Sequence, residues 1–488
     1  MKNNTHVQFL IIGSGIAGMS TALHLSKLGK VILCTKSKLI SGSTPLAQGG
    51  IAGVINTKDS FEKHIQDTMN AGGNTNNKHA VELLVYQAPE EIQFLENLGV
   101  HFEKDQHLEG GHSFPRVSNS KDISGKIIAE ALALNVRANK NISIIENADV
   151  CEINPQNTSI SYIKNKIKYH RVSHYIIIAT GGYSSLYQNS TSPNENMGDG
   201  ISLCINAGIA TKDLHKVQFH PTVLNKKRKN KPQLLLTEAI RGFGATIVDK
   251  NGKEIIDALQ PRDIVSKAIY DEEKKQKSKN CVFLDARNIK NFSTKFPFIS
   301  NILETEFSLH AEKNVLPITF GAHYCMGGIE TNIWGETSSH NIYAVGECAN
   351  TGVHGNNRLA SNSLLEGLVF ARQIAKNIKN KIIKKKISNR SEPETKTTEI
   401  TTISLDNNFD KHIKHSQYNI DFLEKIKTTL SLYISIETNT KKKIENINTA
   451  IKIFNEIKNS IEFQNLSEKN KNILILSQKL ANDAINNV

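Results

Sequence analysis

The sequence predicts an α/β protein in which a Rossmann-like nucleotide-binding domain contains an inserted α+β capping domain and precedes a C-terminal helical domain. Three observations predict this arrangement. Apolar strand patterns alternate with helical patterns up to about residue 215, a glycine-rich turn joins the first strand to the first helix, and helical periodicity dominates after about residue 420. At roughly 100 to 200 residues per domain, the 488 residues correspond to about two to four domains.

The strands and helices of the first domain are predicted from the spacing of apolar residues. Residues 7–12, 31–35 and 175–179 are short apolar runs rich in β-branched residues, which is typical of buried strands. Residues 18–28 and 199–207 place apolar side chains at helical intervals. Because parallel strands need a long crossover, usually a helix, this alternation indicates a parallel sheet.

The middle and the end of the chain differ from this pattern. From about 216 to 325 short segments are separated by prolines, and a strand–turn–helix unit returns at 342–374, which indicates an insertion. A charged stretch follows, after which Leu423, Ile426 and Leu430 begin a helical periodicity. The predicted boundaries are 1–219 and 326–385 for the two parts of the nucleotide-binding domain, 220–325 for the capping domain, 386–402 for a linker and 403–488 for the helical domain.

Composition excludes several functional classes. Apolar residues make up 39% of the chain, and no apolar run approaches the roughly 20 residues of a membrane span, so we expect a soluble, cytoplasmic protein without membrane association. The six cysteines form no C-x-x-C pair, which predicts reduced thiols and no metal site. The net charge is +13, but the lysine-rich runs carry no interleaved aromatic residues, and we expect no nucleic-acid partner.

The glycine-rich turn after the first strand predicts a dinucleotide site. Residues 13–18 read G-S-G-I-A-G. In such a turn the first glycine permits the tight bend, the second lets the backbone approach a diphosphate, and the third lets the helix pack on the strand. The acid that usually follows the second strand is absent, and Thr35 and Lys36 stand there. The ribose is then held in another way or Lys36 binds the phosphates, and a solvated lysine is the alternative.

Three further glycine-containing segments favour FAD over NAD. Residues 43–50, S-T-P-L-A-Q-G-G, combine small side chains and hydroxyls that let the backbone press against a flat ring system. Residues 179–182 and 343–347 end strands in glycine, at the sheet edge where doubly wound folds bind ligands. We therefore expect a flavin in this fold.

Seven separated motifs resemble those of the flavoprotein family that contains succinate dehydrogenase, fumarate reductase and L-aspartate oxidase. The resemblance extends from about residue 7 to residue 375. The motifs are G-S-G-I-A-G, S-T-P-L-A-Q-G-G, Q-F-H-P-T (218–222), T-E-A-I-R-G (237–242), P-R-D (261–263), A-H-Y-C-M-G-G (322–328) and N-R-L-A-S-N-S-L-L (357–365).

The resemblance implies a set of FAD-binding residues. They are Gly13, Ser14, Gly15, Ile16, Ala17, Gly18, Lys36, Ser43, Thr44, Ala47, Gln48, Gly49, Gly50, Asn147, Ala148, Asp199, Glu347, Ser363 and Leu364. Members that tether FAD covalently carry a histidine just before the T-x-x-A-Q-G-G stretch, and Ser43 occupies that position here, so we expect non-covalent FAD. The helix beginning near Ser363 is expected to point its N-terminus at the flavin, where negative charge gathers on reduction.

The same resemblance implies the substrate and catalytic residues. They are His220, Thr237, His323 and Arg358 for the substrate and Arg262, Glu238 and Arg241 for catalysis. The planar fork of arginine and the histidine N–H groups suit carboxylates. Arg262 resembles the family's proton donor to fumarate, and Glu238 and Arg241 resemble its proton relay. A surface ion pair is the alternative for Glu238 and Arg241.

Residues 109–113, E-G-G-H-S, resemble L-aspartate oxidases in particular, in which the glutamate faces the substrate ammonium. Glu109 is therefore expected to bind substrate, since a carboxylate buried beside fumarate or succinate would have no cation to pair with. The resemblance implies FAD-dependent oxidation of L-aspartate to iminoaspartate, with O2 (giving H2O2) or fumarate (giving succinate) as acceptor. It also implies the first step of de novo NAD synthesis and functional coupling to quinolinate synthase.

Two other functions stay open. A soluble fumarate reductase would act on the unsubstituted dicarboxylate and would not need Glu109. A noncatalytic flavin-binding or nucleic-acid-associated protein would not need Arg262. How the helical domain docks is also open, because residues 432–445 show no convincing counterpart of the glycine and arginine found in the helical tail of aspartate oxidases.

Overall fold

A computed structural model describes residues 9–229, 231–388, 402–404, 415–433, 440–460 and 466–487. Its strands are β1 Phe9–Ile12, β2 Val31–Cys34, β3 Gly50–Ala52, β4 Val117–Asn119, β5 Ile142–Ile145, β6 Asp149–Asn154, β7 Ser159–Lys164, β8 Ile167–Val172, β9 Tyr175–Ile178, β10 Thr211–Lys212, β11 Val217–Leu224, β12 Thr246–Asp249, β13 Glu254–Ile256, β14 Val282–Asp285, β15 Leu316–Cys325, β16 Gly328–Glu330, β17 Ile342–Ala344, β18 Ala349–Asn350 and β19 Thr402–Ser404. Its α-helices are α1 Ile16–Leu25, α2 Phe61–Ala71, α3 Lys78–Asn97, α4 Ser124–Ala138, α5 Asp199–Asn206, α6 Glu238–Gly242, α7 Arg262–Gln276, α8 Phe292–Lys295, α9 Pro297–Phe307, α10 Asn362–Ser388, α11 His415–Tyr433, α12 Thr440–Asn459 and α13 Glu468–Asn486.

A parallel sheet with the strand order β17-β9-β1-β2-β5 forms the centre of the nucleotide-binding part. All four residues of β1 are buried. Phe9 and Ile11 belong to the apolar core that includes α1, α4 and α10, whereas Leu10 and Ile12 belong to the core on the other face, which includes α5. Both faces of the sheet are therefore covered, as its continuous apolar strands predict. The mixed α/β class is confirmed.

An antiparallel sheet with the order β11-β15-β14-β12-β13 lies in the region where the sequence predicts an insertion. Its core includes Ile247, Leu284 and Ile299, from two strands and α9. The predicted boundary between residues 219 and 220 falls inside β11, which continues through this point while pairing with β15. The domain limits themselves stay a prediction.

The structure differs from the predicted linker 386–402 at both ends. Helix α10 continues to Ser388, because the run before it is rich in lysine, a good helix former, and contains neither glycine nor proline. Strand β19 begins at Thr402 and pairs with β8, so it joins the sheet β19-β8-β7-β6 and not the helical segment that was predicted from residue 403. The rest of the predicted linker, 389–401, lies outside the described residues.

Helices α11 to α13 dock beside α5, which answers the question that the sequence left open. Phe454 of α12 and Leu476 of α13 share one apolar core with Ile201 of α5. The approach is close at Gly198, where a Cβ would lie 2.3 Å from Leu476 Cδ2. Helix α13 therefore packs directly against the element that begins with Asp199, and α11 and α12 join the same core.

Two expectations from the composition concern membrane-spanning helices and the state of the cysteines. Within the described ranges, no helix has both the length and the apolar character needed to cross a membrane. All six cysteines lie in these ranges as free thiols. Burial raises the pKa of the Cys348 thiol to about 11, so it behaves as an apolar side chain and not as a nucleophile.

Candidate active site

A long cavity holds most of the predicted site residues. It begins at the carboxyl ends of β1 and β2 and ends among residues of β11, α7 and β15. Carboxyl ends of parallel strands are where doubly wound sheets bind ligands. The predicted residues that line it are Gly13, Ser14, Gly15, Ile16, Ala17, Lys36, Ser43, Thr44, Ala47, Gln48, Gly49, Gly50, Glu109, Ala148, Asp199, His220, Thr237, Glu238, Arg262, His323, Glu347, Arg358, Ser363 and Leu364.

The glycine-rich turn has the geometry that a dinucleotide requires. Gly13 has a φ of +107°, and a Cβ there would lie 2.1 Å from Ala179 O, so only glycine fits. A Cβ on Gly18 would lie 2.0 Å from the Gly13 carbonyl oxygen, which explains how closely α1 packs. Gly15 faces the cavity, with Thr44 Oγ1 at 3.3 Å as the nearest atom to its Cβ position. The start of α1 therefore presents backbone to a diphosphate.

Three predicted residues do not line the cavity. Gly18 lies in the helix packing just described. Asn147 occupies a turn with a φ of +55°, and its neighbour Ala148 reaches the cavity instead. Arg241 lies behind Glu238, with Nη2 2.8 Å from the carboxylate. Motif spacing locates such residues in the chain, whereas turn geometry decides which side chain faces the ligand.

Lys36 and Asp199 form an ion pair at one end of the cavity, so Lys36 is more than a solvated lysine. Although burial opposes it, Asp199 raises the pKa of Lys36. Within the described part of the chain, Asp199 Oδ1, Gln48 Oε1 and Thr180 Oγ1 are buried without a hydrogen-bond partner. All three residues line the cavity. Such atoms require polar groups of a ligand, and with the glycine turn they fit FAD.

Glu109 is buried at the other end of the cavity. Its Oε1 lies 3.3 Å from His107 Nε2, and its Oε2 accepts a 2.6 Å hydrogen bond from Ser361 Oγ. Burial alone would raise the pKa of Glu109, but the hydrogen bonds and the His107 charge lower it to about 2. Glu109 is therefore an anion at neutral pH. Sequence analysis missed His107 and Ser361, although Ser361 stands within the N-R-L-A-S-N motif.

Glu238, Arg241 and Arg262 form a buried ion-pair group, called here the Glu238 network. Arg262 Nε donates to Glu238 Oε2 at 2.6 Å, while Arg241 approaches Oε1. All three side chains are buried, so the surface-pair alternative is wrong. Arg262 Nη1 also donates to Gln218 Oε1 at 3.0 Å, and Gln218 Nε2 donates to the Arg358 carbonyl at 2.8 Å. Gln218, in the Q-F-H-P-T motif but unassigned from sequence, thus joins the two arginine segments.

The rings of His220 and His323 lie 5.1 Å apart. Burial, reinforced by the Arg262 charge, lowers the pKa of both histidines well below the usual range, so both are neutral. His220 Nδ1 accepts from the Thr222 N–H at 3.2 Å, which leaves the hydrogen on Nε2. That Nε2 is buried without a partner among the described residues, and the side chain lines the cavity. It can therefore donate to a ligand.

Arg358 is held against the ring of Tyr324, with Cζ 4.5 Å from the ring centroid. Tyr324 Oη donates to Glu366 Oε2 at 2.7 Å, which fixes the ring. Burial and the Arg262 charge lower the pKa of Arg358 to about 10, so it stays protonated at neutral pH. Its Nε has no hydrogen-bond partner in the described ranges. Tyr324 and Glu366 were not assigned from sequence, although Tyr324 belongs to the A-H-Y-C motif.

Three charges at this end of the cavity are left once internal pairs and neutral groups are set aside, and they are called here the charge remainder. Arg241 offsets Glu238, and the two histidines are neutral. Arg262 and Arg358 then supply two positive charges and, with the His107 imidazole neutral, Glu109 supplies one negative charge; all three line the cavity. A ligand with two carboxylates and one ammonium has the complementary set.

Comparisons with known proteins show the family to which this chain belongs. The FAD binding domain family matches residues 8–364. The chain is 40% identical over 390 residues to the L-aspartate oxidase of Clostridium acetobutylicum, covering 78% of this chain and 89% of that protein. It is 41% identical over 386 residues to the L-aspartate oxidase of Clostridium perfringens, covering 76% of this chain and 87% of that protein.

Two solved structures share the fold over nearly the whole chain. A quinol-fumarate reductase with menaquinol molecules has a TM-score of 0.80 at 22% identity, covering 99% of this chain and 89% of that one. An E. coli quinol fumarate reductase has a TM-score of 0.78 at 23% identity, covering 98% and 88%. At this identity the likeness concerns the fold alone. The family match and the sequence relatives show that the chain has an FAD-binding domain and belongs to the L-aspartate oxidase family.

Proposed function

We propose that this protein oxidises L-aspartate to iminoaspartate with FAD as its cofactor. The charge remainder of the site carries the proposal, because Arg262 and Arg358 with Glu109 complement two carboxylates and one ammonium. Membership of the L-aspartate oxidase family supports the same reaction. Succinate or fumarate would bring no cation to the buried charge of Glu109.

The residues act mainly by binding and orienting the substrate. Arg262 and Arg358 hold the two carboxylates, and the two neutral histidines and Thr237 add hydrogen-bond donors without adding charge. Glu109 accepts from the ammonium. Fixing three groups around Cα fixes the direction of the Cα–H bond, and such positioning supplies much of the rate.

FAD, when bound, takes up the hydride and passes the electrons on. The residues that would hold it extend along the cavity from Lys36 and Asp199 to the start of α10. Ser43 accepts a 2.7 Å hydrogen bond from Asn196 Nδ2 and stands where a tethering histidine would be needed. These observations support non-covalent binding.

Fumarate, yielding succinate, is the second acceptor in this proposal beside O2, which yields H2O2. Arg262 is placed to give a proton, but a guanidinium is a very weak acid and needs a relay to do so. Glu238 links Arg262 to Arg241. Burial lowers the pKa of Arg241, although Glu238 opposes this, which makes it a better proton carrier than a solvated arginine.

The proposal also gives the reaction its context. An imine of this kind needs an enzyme that consumes it, and we place the reaction at the first step of de novo NAD synthesis, coupled to quinolinate synthase, in the cytoplasm. Neither a membrane nor a nucleic acid is needed as partner. Residues 220–325 would act as the capping domain over the substrate, with the helical domain behind the cofactor end.

An anaerobic mixing experiment tests the function. The purified yellow protein is mixed with L-aspartate, with succinate as the parallel control, and the visible flavin absorption is followed. Bleaching by aspartate and not by succinate is the expected result. Bleaching by neither, with fast reoxidation of chemically reduced flavin by fumarate, would make a soluble fumarate reductase the better assignment.

A further inference from the structure

His107 lies two residues before Glu109 and is held in place by backbone hydrogen bonds. Its N–H donates to Val117 O at 3.1 Å, and its carbonyl accepts from Val117 N–H at 3.2 Å. The side chain is 18% exposed, with Nε2 3.3 Å from Glu109 Oε1. The pairing with β4 therefore fixes the backbone of His107, and its ring lies beside the carboxylate that the proposed function assigns to the ammonium.

A histidine in this place adds a variable charge to the site. When the imidazole is neutral, Glu109 keeps its negative charge for a ligand, and the remainder suits an amino dicarboxylate. When it is protonated, the imidazolium offsets Glu109. The remainder is then the two positive charges of Arg262 and Arg358, which suits an unsubstituted dicarboxylate such as fumarate or succinate.

We infer that His107 is a positioning residue whose protonation switches the site between preference for an amino dicarboxylate and preference for an unsubstituted one. This inference rests on the proposed function and deepens it. Aspartate would occupy the site while the flavin is reduced, and fumarate would occupy the same site while the flavin is reoxidised. The proton that leaves His107 when aspartate binds passes to solvent, which the ring reaches through its exposed fraction.

The groups around the pair give the sign of the pH dependence. Glu103, Asn119 and Glu109 face the imidazole, and although burial opposes them, Glu109 above all raises the pKa of His107 above its usual 6.5. Below that pKa the imidazolium pairs with Glu109, and above it Glu109 is free. Binding of aspartate therefore strengthens as pH rises through the pKa of His107, while binding of succinate weakens.

The other groups around Glu109 keep their charge near neutral pH. Ser361 carries no charge, and burial lowers the pKa of His112, which stays neutral. Although burial opposes it, Arg262 and Arg241 lower the pKa of Glu238, which stays ionised. His107 is thus the neighbour of Glu109 whose charge changes near neutral pH.

The test is the pH dependence of the ratio between the KM for L-aspartate and the inhibition constant of succinate. Titrations that act on both ligands cancel in this ratio. We expect it to fall about tenfold from about pH 6 to 8.5 in the wild type, equivalent to one pKa unit of coupling. It should change less than about twofold in His107→Gln, which keeps an N–H donor without a titrating charge. The exposed His101→Gln is the matched control and should keep the wild-type slope.

A wild-type slope that persists in His107→Gln, or a flat ratio in the wild type, overturns the inference while leaving aspartate oxidation intact. Absence of any aspartate oxidation in the wild type overturns the proposed function itself. The two failures are therefore distinct. A purely structural role of His107 would change activity at all pH values and leave the slope unchanged.

A second measurement needs no variant. 2-Methyl-L-aspartate carries the ammonium but no Cα hydrogen, so it can bind without being oxidised. In weakly buffered solution near pH 7.5, its binding to the wild-type holoenzyme should release protons, whereas succinate should take them up. Equal proton exchange for both ligands would contradict the switch.

Discussion

Two buried arginine–carboxylate networks differ in what they touch. In the Glu238 network two arginines share one carboxylate, and Glu238 and Arg262 line the cavity. In the second, called here the Arg116 network, Arg116 lies between Asp59 and Asp67, with N···O distances of 2.8 and 2.5 Å. Neither aspartate nor the arginine of this network lines the cavity. Burial and pairing are common to both, and the difference lies in exposure to the ligand and in the sign of the excess charge.

The Arg116 network acts on the loop that carries Glu109. Asp67 Oδ2 accepts from both the N–H and the Oγ of Ser113, each at 2.8 Å. His112 Nδ1 lies 3.0 Å from Arg116, and its Nε2 lies 3.0 Å from the Ala360 carbonyl. This network therefore supports the fold and holds the loop, whereas the Glu238 network keeps donors free for chemistry. A buried ion pair alone does not identify a catalytic group.

Arg262→Leu should give the largest effect on activity. Removal of the proposed proton donor should slow reoxidation of the reduced flavin by fumarate by at least about 10³-fold, within the usual range for a general acid. Unfolding should change by less than about 1 kcal/mol, because Glu238 keeps Arg241 as its partner and Arg358 loses a like charge nearby. Stopped-flow absorption and thermal unfolding measure the two quantities.

The control is Arg287→Leu, which removes an exposed arginine paired with Asp285 in the same antiparallel region. It should change neither quantity appreciably. If Arg262→Leu instead unfolded the protein and left fumarate reoxidation fast, the contrast between the networks would be reversed.

Arg116→Met should give the largest effect on stability. The substitution leaves Asp59 without its charged partner in a fully buried position, a loss of about 3 to 5 kcal/mol in the free energy of unfolding. Flavin reduction by aspartate should persist in whatever fraction stays folded. Denaturant unfolding of the holoenzyme measures the loss, and Arg137→Met, at a 4.0 Å surface pair, should cost less than about 1 kcal/mol. Equal stability of the two variants would contradict this role.

Much of the cofactor end could be predicted from sequence because its determinants are local. The positive φ of Gly13 and the close packing at Gly18 follow from the spacing within one turn. The long-range contacts at the cofactor end could not be predicted in the same way. The pairing of Lys36 with Asp199 spans 163 residues and depends on the sheet order, which brings the end of β2 beside α5. No local pattern specifies such a contact.

The substrate end shows the same limit. The motifs located Glu109, but its two hydrogen-bond partners required the fold. Ser361 stands 252 residues away in sequence, and His107 is aimed by its pairing with Val117. Gln218 and Tyr324 stood inside identified motifs, yet their roles follow from the face of the strand on which each side chain lies. The residue types were therefore predictable from motifs, whereas the roles depend on long-range packing.

Glu109→Gln tests whether the negative charge of Glu109 selects the substrate ammonium. The substituted amide would keep the neighbours of the carboxylate but lose its charge, so kcat/KM for aspartate should fall about 100-fold, the value of a buried charged hydrogen bond of about 3 kcal/mol. Binding of succinate should stay equal or strengthen, because an unmatched anion is removed. The exposed Asp105→Asn is the matched control in the same segment. A parallel loss for both ligands would mean that Glu109 supports the loop and does not select the ammonium.

Lys469→Ala should give the smallest effect and extends the comparison to the cofactor end. Lys469 of α13 lies 3.8 Å from Asp199 Oδ2, so Lys469 and Lys36 flank one carboxylate beside the cavity, with the charge of Asp149 nearby. Lys36 and Asp199 line the cavity, as Glu238 and Arg262 do, so this group should affect ligand binding more than stability. We expect the variant to release FAD about tenfold more readily, with a weaker dependence of the Kd on salt, because one cation beside the cofactor end of the cavity is lost. Lys479→Ala, about 15 Å farther along the same helix, is the control, and Lys469→Arg should restore binding. Fluorescence of the released flavin measures the Kd, and a Kd equal to that of the control variant would confine the role of α13 to packing.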